Sequence, residues 1–324
     1  MSTSLPPPPL AAPRPRPSAI DGSAAPARDD QGPIGLCVVR VEKAGPREGQ
    51  DRQSNRIVVH PDKYLSQSPF LVLVEDWVSP AGGFPTHPHR GMETVTLVLQ
   101  GAVEHHDHTG AHGVLREGDV GFMTAGAGVL HSEMPGQDGV HLLQLWLNLP
   151  AALKFSRAQF TCVRKGDANE VDLPDAAIRV YAGDVMGAAS PYGSTWPLTL
   201  LDIRLERDAA VDLPLPAGQR AFAFVLEGHV EIGRNHCGVD KDRVAWLERS
   251  PAPSHRFDTV ALRARDAARV LVYASPAIDE PMVLRGPFVM NTAAELDQAY
   301  ADLRAGRLTE ASGPPTLPSP SEAS

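Results

Sequence analysis

The chain has 324 residues, 42% of them hydrophobic, and a formal net charge of −9 at pH 7. That length accommodates two domains of ordinary size, each with a sizeable core. The acidic balance, with no basic stripe of interleaved aromatics, argues against direct nucleic-acid binding, and no apolar run approaches the ~20 residues needed to span a bilayer.

Residues 1–33 are dominated by Pro, Ala, Ser and Arg, a composition that buries too little apolar surface to offset chain entropy, so a disordered tail is expected. Its opening, MSTSLPPPPLAAPRPRPS, lacks the apolar centre of a secretory signal, which leads us to expect a cytoplasmic protein. Cys37, Cys162 and Cys237 are widely spaced and form no CxxC; they read as reduced packing residues. From residue 34 onward come short runs rich in β-branched residues, LCVV at 36–39, IVV at 57–59 and FLVLV at 70–74, bounded by Gly, Pro, Asn or Asp. Many short strands with Pro and Gly turns indicate an all-β sandwich or barrel.

Seven of the twelve histidines fall between His87 and His131. In an extended segment side chains alternate faces with period two, so His87 and His89 point one way together, and His131 and Glu133 do likewise. Antiparallel pairing of the two segments would offer three neutral nitrogens and one carboxylate to a metal, with room for water or substrate. Glu93 shares the parity of His87 and His89 but lies about 13 Å further along a regular strand. It could serve only as an alternative ligand after a bend, or as a hydrogen-bond partner that props a His ring. His105, His106, His108 and His112 surround a turn and change face, so they are expected to be exposed and to capture metal at most adventitiously. Residues 140–149 alternate again: Leu143, Leu145 and Leu147 on one face, Gln144 and Trp146 on the other. Gln144, Trp146 and Phe84 are candidates for lining a pocket.

Residues 151–195 carry turn signals and read as a linker. Strand-like runs resume over 197–204, 221–226, 230–232, 244–247 and 270–273. LEGHVE at 226–231 echoes LQGAVE at 99–104 as strand, Gly turn and returning strand, but AGQR at 217–220 stands where the first half has its HxH. A second barrel without metal ligands is expected over 196–290. Thr292 with Glu295 reads as a capping box and Gly306 as a stop, giving a structural helix within 291–308. Residues 309–324 are expected to fray.

The order HxH, Glu, Gly, then a Gly turn and a further His resembles the cupin barrel, carried here by His87, His89, Glu93, Gly101, Gly121 and His131. Gly126 stands where that pattern usually has Pro, and Glu133 adds a carboxylate. The blocks FPTHPHRGMETVTLVLQGAVEHHDHTG, GDVGFMTAGAGVLHSEMP, LLQLWLNLP and GPFVMNT resemble the pirin family across residues 34–308. The resemblance implies two packed cupin (jelly-roll) β-barrels with a short C-terminal helix, the first, at 34–150, holding the metal. It implies Glu133 as the ligand carboxylate and proton acceptor, and favours Fe(II). The imidazole and carboxylate donors also suit Mn, Co, Ni, Cu or Zn. Where His106 and His108 stand, the family usually shows Arg and Ser. The implied activities are a quercetin 2,3-dioxygenase acting on a flavonol or similar aromatic oxygen donor, or a redox-sensing co-regulator that works through a protein partner.

Overall fold

The computed structural model describes residues 34–191, 193–250 and 255–310. The tail expected over 1–33, and that over 309–324 apart from Thr309 and Glu310, lie outside the described residues. Two β-barrels pack against each other, followed by one short helix, Ala293–Arg304, as the fold class expected from sequence requires. No helix among the described residues is long and apolar enough to cross a membrane.

The first barrel is built on two long strands, Met92–Asp107 and Val129–Asn148, which pair antiparallel along nearly their whole length. A strand that long must bend to close a barrel, and the register shifts between Val98 and Gln100 and between Gly101 and Val103 make the bend. Gly101 sits there at φ +80°, and any Cβ on it would lie 2.3 Å from the carbonyl oxygen of Gly139. A side chain at 101 would therefore force the two strands apart. Phe84–His89, Val120–Thr124 and Phe70–Val78 complete the wall around these strands.

The leucine face read from residues 143–147 fills the seam between the barrels. Leu143, Leu145, Leu147, Val95, Leu97 and Phe70 pack with Phe222, Phe224, Trp246, Leu271 and Tyr273 of the second barrel. The second barrel's interior is closed by Val180, Leu201, Ala223, Val225, Val260 and Val272, all fully buried. Among the described residues, no group of three metal-ligating side chains lies in this barrel.

The domain boundaries expected from sequence need correction. Val38–Lys43, assigned to the first barrel, instead pairs with Arg243–Leu247 on the edge of the second barrel's sheet. The segment 151–195 is no linker: Gln159–Val163 pairs with Val120–Thr124 of the first barrel, whereas Asn169–Leu173 and Ala176–Ala182 join the second barrel's sheet. The hairpin Val283–Arg285 and Phe288–Met290 falls in the range given to the second barrel. It docks on the first, where Phe288 bridges Arg90. Alternation shows that a strand exists but not which edge it covers, and exposed edges take cover from wherever the chain passes.

Candidate metal centre

The pairing of Phe84–His89 with Val129–Asn148 sets His87 directly opposite His131. The three imidazoles converge: ring centroids are 4.3 Å apart for His87 and His131, 4.9 Å for His87 and His89, and 5.1 Å for His89 and His131. One ring nitrogen from each lies within 4.8 Å of the others. His89 and His131 are 2% and 1% exposed, and His87 is half-buried, so the cluster opens toward solvent on the His87 side.

Hydrogen bonds fix two of the tautomers. Nδ1 of His87 lies 2.8 Å from the carbonyl oxygen of Pro85, and Nδ1 of His89 lies 3.3 Å from that of Pro287. A carbonyl only accepts, so each contact calls for the Nδ1–H form and leaves the Nε2 lone pair free for a ligand bond. Neither nitrogen of His131 has a partner among the described residues, although both are fully buried. Burial pushes the His89 ring down to about 3, helped by the neighbouring His87. Burial likewise lowers His87, and it lowers His131, helped by its His neighbours. All three are thus held neutral, the form that binds metal. A buried imidazole with two orphaned nitrogens, flanked by two neutral imidazoles, fits a divalent cation.

Glu133 is 5% exposed. Its Oε2 accepts from Nε2 of Gln144 at 2.8 Å, and its Oε1 accepts a long contact from Oγ1 of Thr96 at 3.4 Å. Burial raises its pKa, against the pull of those two hydrogen bonds. The carboxylate falls within 4.8 Å of His131 and His105, a second triad that shares His131 with the first. Gln144 and Trp146 face the barrel interior. Trp146 donates from Nε1 to Oε1 of Gln144 at 3.1 Å and stands edge-on to His89 at 5.0 Å. Phe84 lies 6.5 Å from the His87 ring and packs on Val78, Val98 and Leu142.

Two expectations are corrected. Glu93 neither approaches the histidines nor props one: its carboxylate accepts from Thr124 Oγ1 at 2.8 Å, from the backbone N–H of Thr195 at 2.8 Å, and from Ser194 Oγ. The chain turns at Gly91, where φ is +76° and any Cβ would meet the carbonyl oxygen of Val289. That turn breaks the alternation that linked Glu93 to His87 and His89. His105, expected at the surface, is 1% exposed and stacks on Phe160 at 3.9 Å, its Nε2 lying 3.4 Å from Oδ2 of Asp107. Strand parity held the signal, since His105 alternates with Glu104 and His106 and shares the face of the buried Val103.

Sequence reasoning also passed over Asp76, Arg90 and Lys154. Asp76 is buried on the same strand face as Val74, whose cross-strand partner is Gln144. Its carboxyl is pushed up to about 7, by burial first and then by the charges of Glu133 and Glu75. A carboxylate inside an apolar strand, FLVLVEDWV, was the available sign. Arg90, fully buried beside His89, donates to the carbonyls of Ala127 and Leu308 and pairs with Asp302 at 2.8 Å. Lys154 donates to the carbonyls of Gly91 and Val289 and to Oδ1 of Asn148. Together they clamp the C-terminal segment onto the loop after the HxH motif.

A family model described as Pirin matches residues 43–147, and one described as Pirin C-terminal cupin domain matches residues 200–309. The chain is 36% identical over 249 residues to Pirin-like protein 2 of Arabidopsis thaliana, covering 74% of this chain and 75% of that one. It is 35% identical over 264 residues to Pirin of Rattus norvegicus, covering 79% and 88%. Among solved structures, a quercetin 2,3-dioxygenase from Acinetobacter baumannii superposes with a TM-score of 0.74 at 30% identity, covering 84% of this chain and 98% of that one.

Proposed function

This chain belongs to the pirin family, and from that premise we propose that its first barrel is a mononuclear metal site that oxygenates a flavonol-type substrate, in the manner of a quercetin 2,3-dioxygenase. The observation that carries the reading is His131, whose two buried, unpartnered nitrogens sit between His87 and His89 and beside a buried carboxylate. The structural relative named for that activity supports the substrate class.

His87, His89, His131 and Glu133 would hold the ion, Fe(II) on the strength of the family. Once bound there, it supplies a Lewis acid with positions left open to a substrate oxygen. The protein's own contribution is orientation and proton handling. Glu133, raised by burial, is suited to take the proton of an acidic ring hydroxyl. Gln144 and Thr96 steady its carboxylate, and the Gln144–Trp146 hydrogen bond fixes the amide that does so. Trp146, edge-on to His89, and Phe84, beside His87, are the apolar side chains nearest the cluster that a planar substrate would meet.

Oxygen uptake by purified, metal-analysed protein against a flavonol panel tests this. Uptake is expected in the wild type and a loss of ~100-fold or more in Glu133→Gln, the lower range for removing a general base. A metal-loaded protein that consumes no oxygen with any flavonol sinks the enzymatic reading. It would favour the regulatory one, in which the metal state is read by a protein partner, for which the second barrel offers a further surface beside the first.

A further inference from the structure

The strand Met92–Asp107 turns Val103 and His105 inward and Glu104 and His106 outward. His106 lies directly opposite His112 in the hairpin register. Their rings face each other at 4.2 Å between centroids, 25° from parallel. One oxygen of Glu104, Oε1, sits 3.0 Å from Nε2 of His106 and 2.8 Å from Nε2 of His112. A donor atom from each of the three lies within 4.8 Å of the other two. The side chains of Glu104, His106 and His112 are 46%, 55% and 50% exposed, and none belongs to the buried cluster.

We propose that Glu104, His106 and His112 form a second metal site, on the outer face of the first barrel, for a borderline divalent cation such as Zn²⁺, Ni²⁺ or Cu²⁺. The β-ladder has already brought the three donors together, so little ordering remains for the ion to drive. Two neutral imidazoles and one carboxylate give a bound divalent ion a net charge of +1 and leave positions for water. This donor set selects borderline ions over Mg²⁺ and Ca²⁺, which prefer all-oxygen shells. Both imidazoles converge on the same carboxylate oxygen, at separations that one ion bonded to all three donors can replace, and water competes well for hydrogen bonds this exposed. The two outward ligands flank His105, so an ion here also pins the stretch of strand that carries His105 into the barrel.

The test is isothermal titration of the metal-free full chain with Zn²⁺, wild type against His112→Ala and against the double variant His106→Ala/His112→Ala. The wild type is expected to take up one more equivalent than either variant, while the buried cluster's own uptake is the same in all three. Zn²⁺ should also slow hydrogen exchange at the backbone amides of residues 104–106 more in the wild type than in the variants, where only the buried cluster across the ladder from His105 is filled. These side chains are exposed, so the variants should fold; matching circular dichroism verifies it. Equal Zn²⁺ uptake with equal affinity in wild type and variants overturns the proposal, as does exchange at 104–106 that Zn²⁺ slows no more in the wild type than in the variants. Because the comparison is a difference, it holds whether or not the buried cluster turns over a flavonol.

Discussion

Both ring nitrogens of His131 are buried without a hydrogen-bond partner among the described residues, at a cost of about 1–3 kcal/mol for each such group. A bound ion bonds one of the two nitrogens and recovers that part of the cost, which is why the residue argues for a metal more strongly than the HxH pair alone. Asp76 presents a related tension. Its ordinary value is 3.8 and its folded value about 7, so the folded chain holds this proton more tightly than the unfolded one. Its contribution to stability is complete below pH ~4 and is lost as pH rises through about 7. In metal-free protein, Asp76→Asn should therefore flatten the fall in melting temperature between pH 4 and 7, measured by thermal scans across that range; parallel wild-type and variant profiles would refute it. Period-two alternation made the two histidine pairs legible in the sequence. Carried past the turn at Gly91, the same rule misplaces Glu93, and at His105 the inward face it gives is masked by the neighbouring histidines around a turn. Asp76 is harder to read because nearly every residue of FLVLVEDWV is buried, so alternation there does not separate an inward carboxylate from an outward one.

At the scale of elements, the C-terminal helix was legible at its start and illegible in its destination. Thr292 and Glu295 form the capping box read from their spacing: Oγ1 of Thr292 accepts from the N–H of Glu295 at 3.2 Å, and Oε2 of Glu295 accepts from the N–H of Thr292 at 2.9 Å. Nothing local could disclose that Asp302, three turns later, would pair with a buried arginine beside the metal cluster. The two features should differ in weight. Thr292→Ala removes an exposed cap and should cost about 1 kcal/mol. Asp302→Ala leaves Arg90 buried without its counter-charge and should cost about 3 kcal/mol. Urea unfolding of the three proteins checks the ranking, and a cap that outweighs the ion pair would contradict it. Lys154 bridges the carbonyls of Gly91 and Val289, so the HxH loop is tied to the C-terminal segment at a second point.

For the molecule as a whole, the decisive surface is the seam, where Phe222 meets Phe70 edge-on at 5.0 Å and stacks on Tyr273 at 4.7 Å. Phe222→Ala should cost about 3–5 kcal/mol, in a single cooperative transition if the seam is one core. Two separate transitions by calorimetry would mean that the barrels unfold independently. The alternating strands and the repeated strand–Gly–strand unit made the pair of barrels legible. Their connectivity was not, because a strand's pattern encodes which face is buried and says nothing of which neighbour completes its ladder. The interleaving has a further effect. The strand Val38–Lys43 finishes the later barrel, and the hairpin ending at Met290 finishes the earlier one, so no single cut through the polypeptide yields two self-sufficient pieces. A deletion or fusion joint drawn near the middle of the chain orphans both parts, and the two can be gained or lost only together.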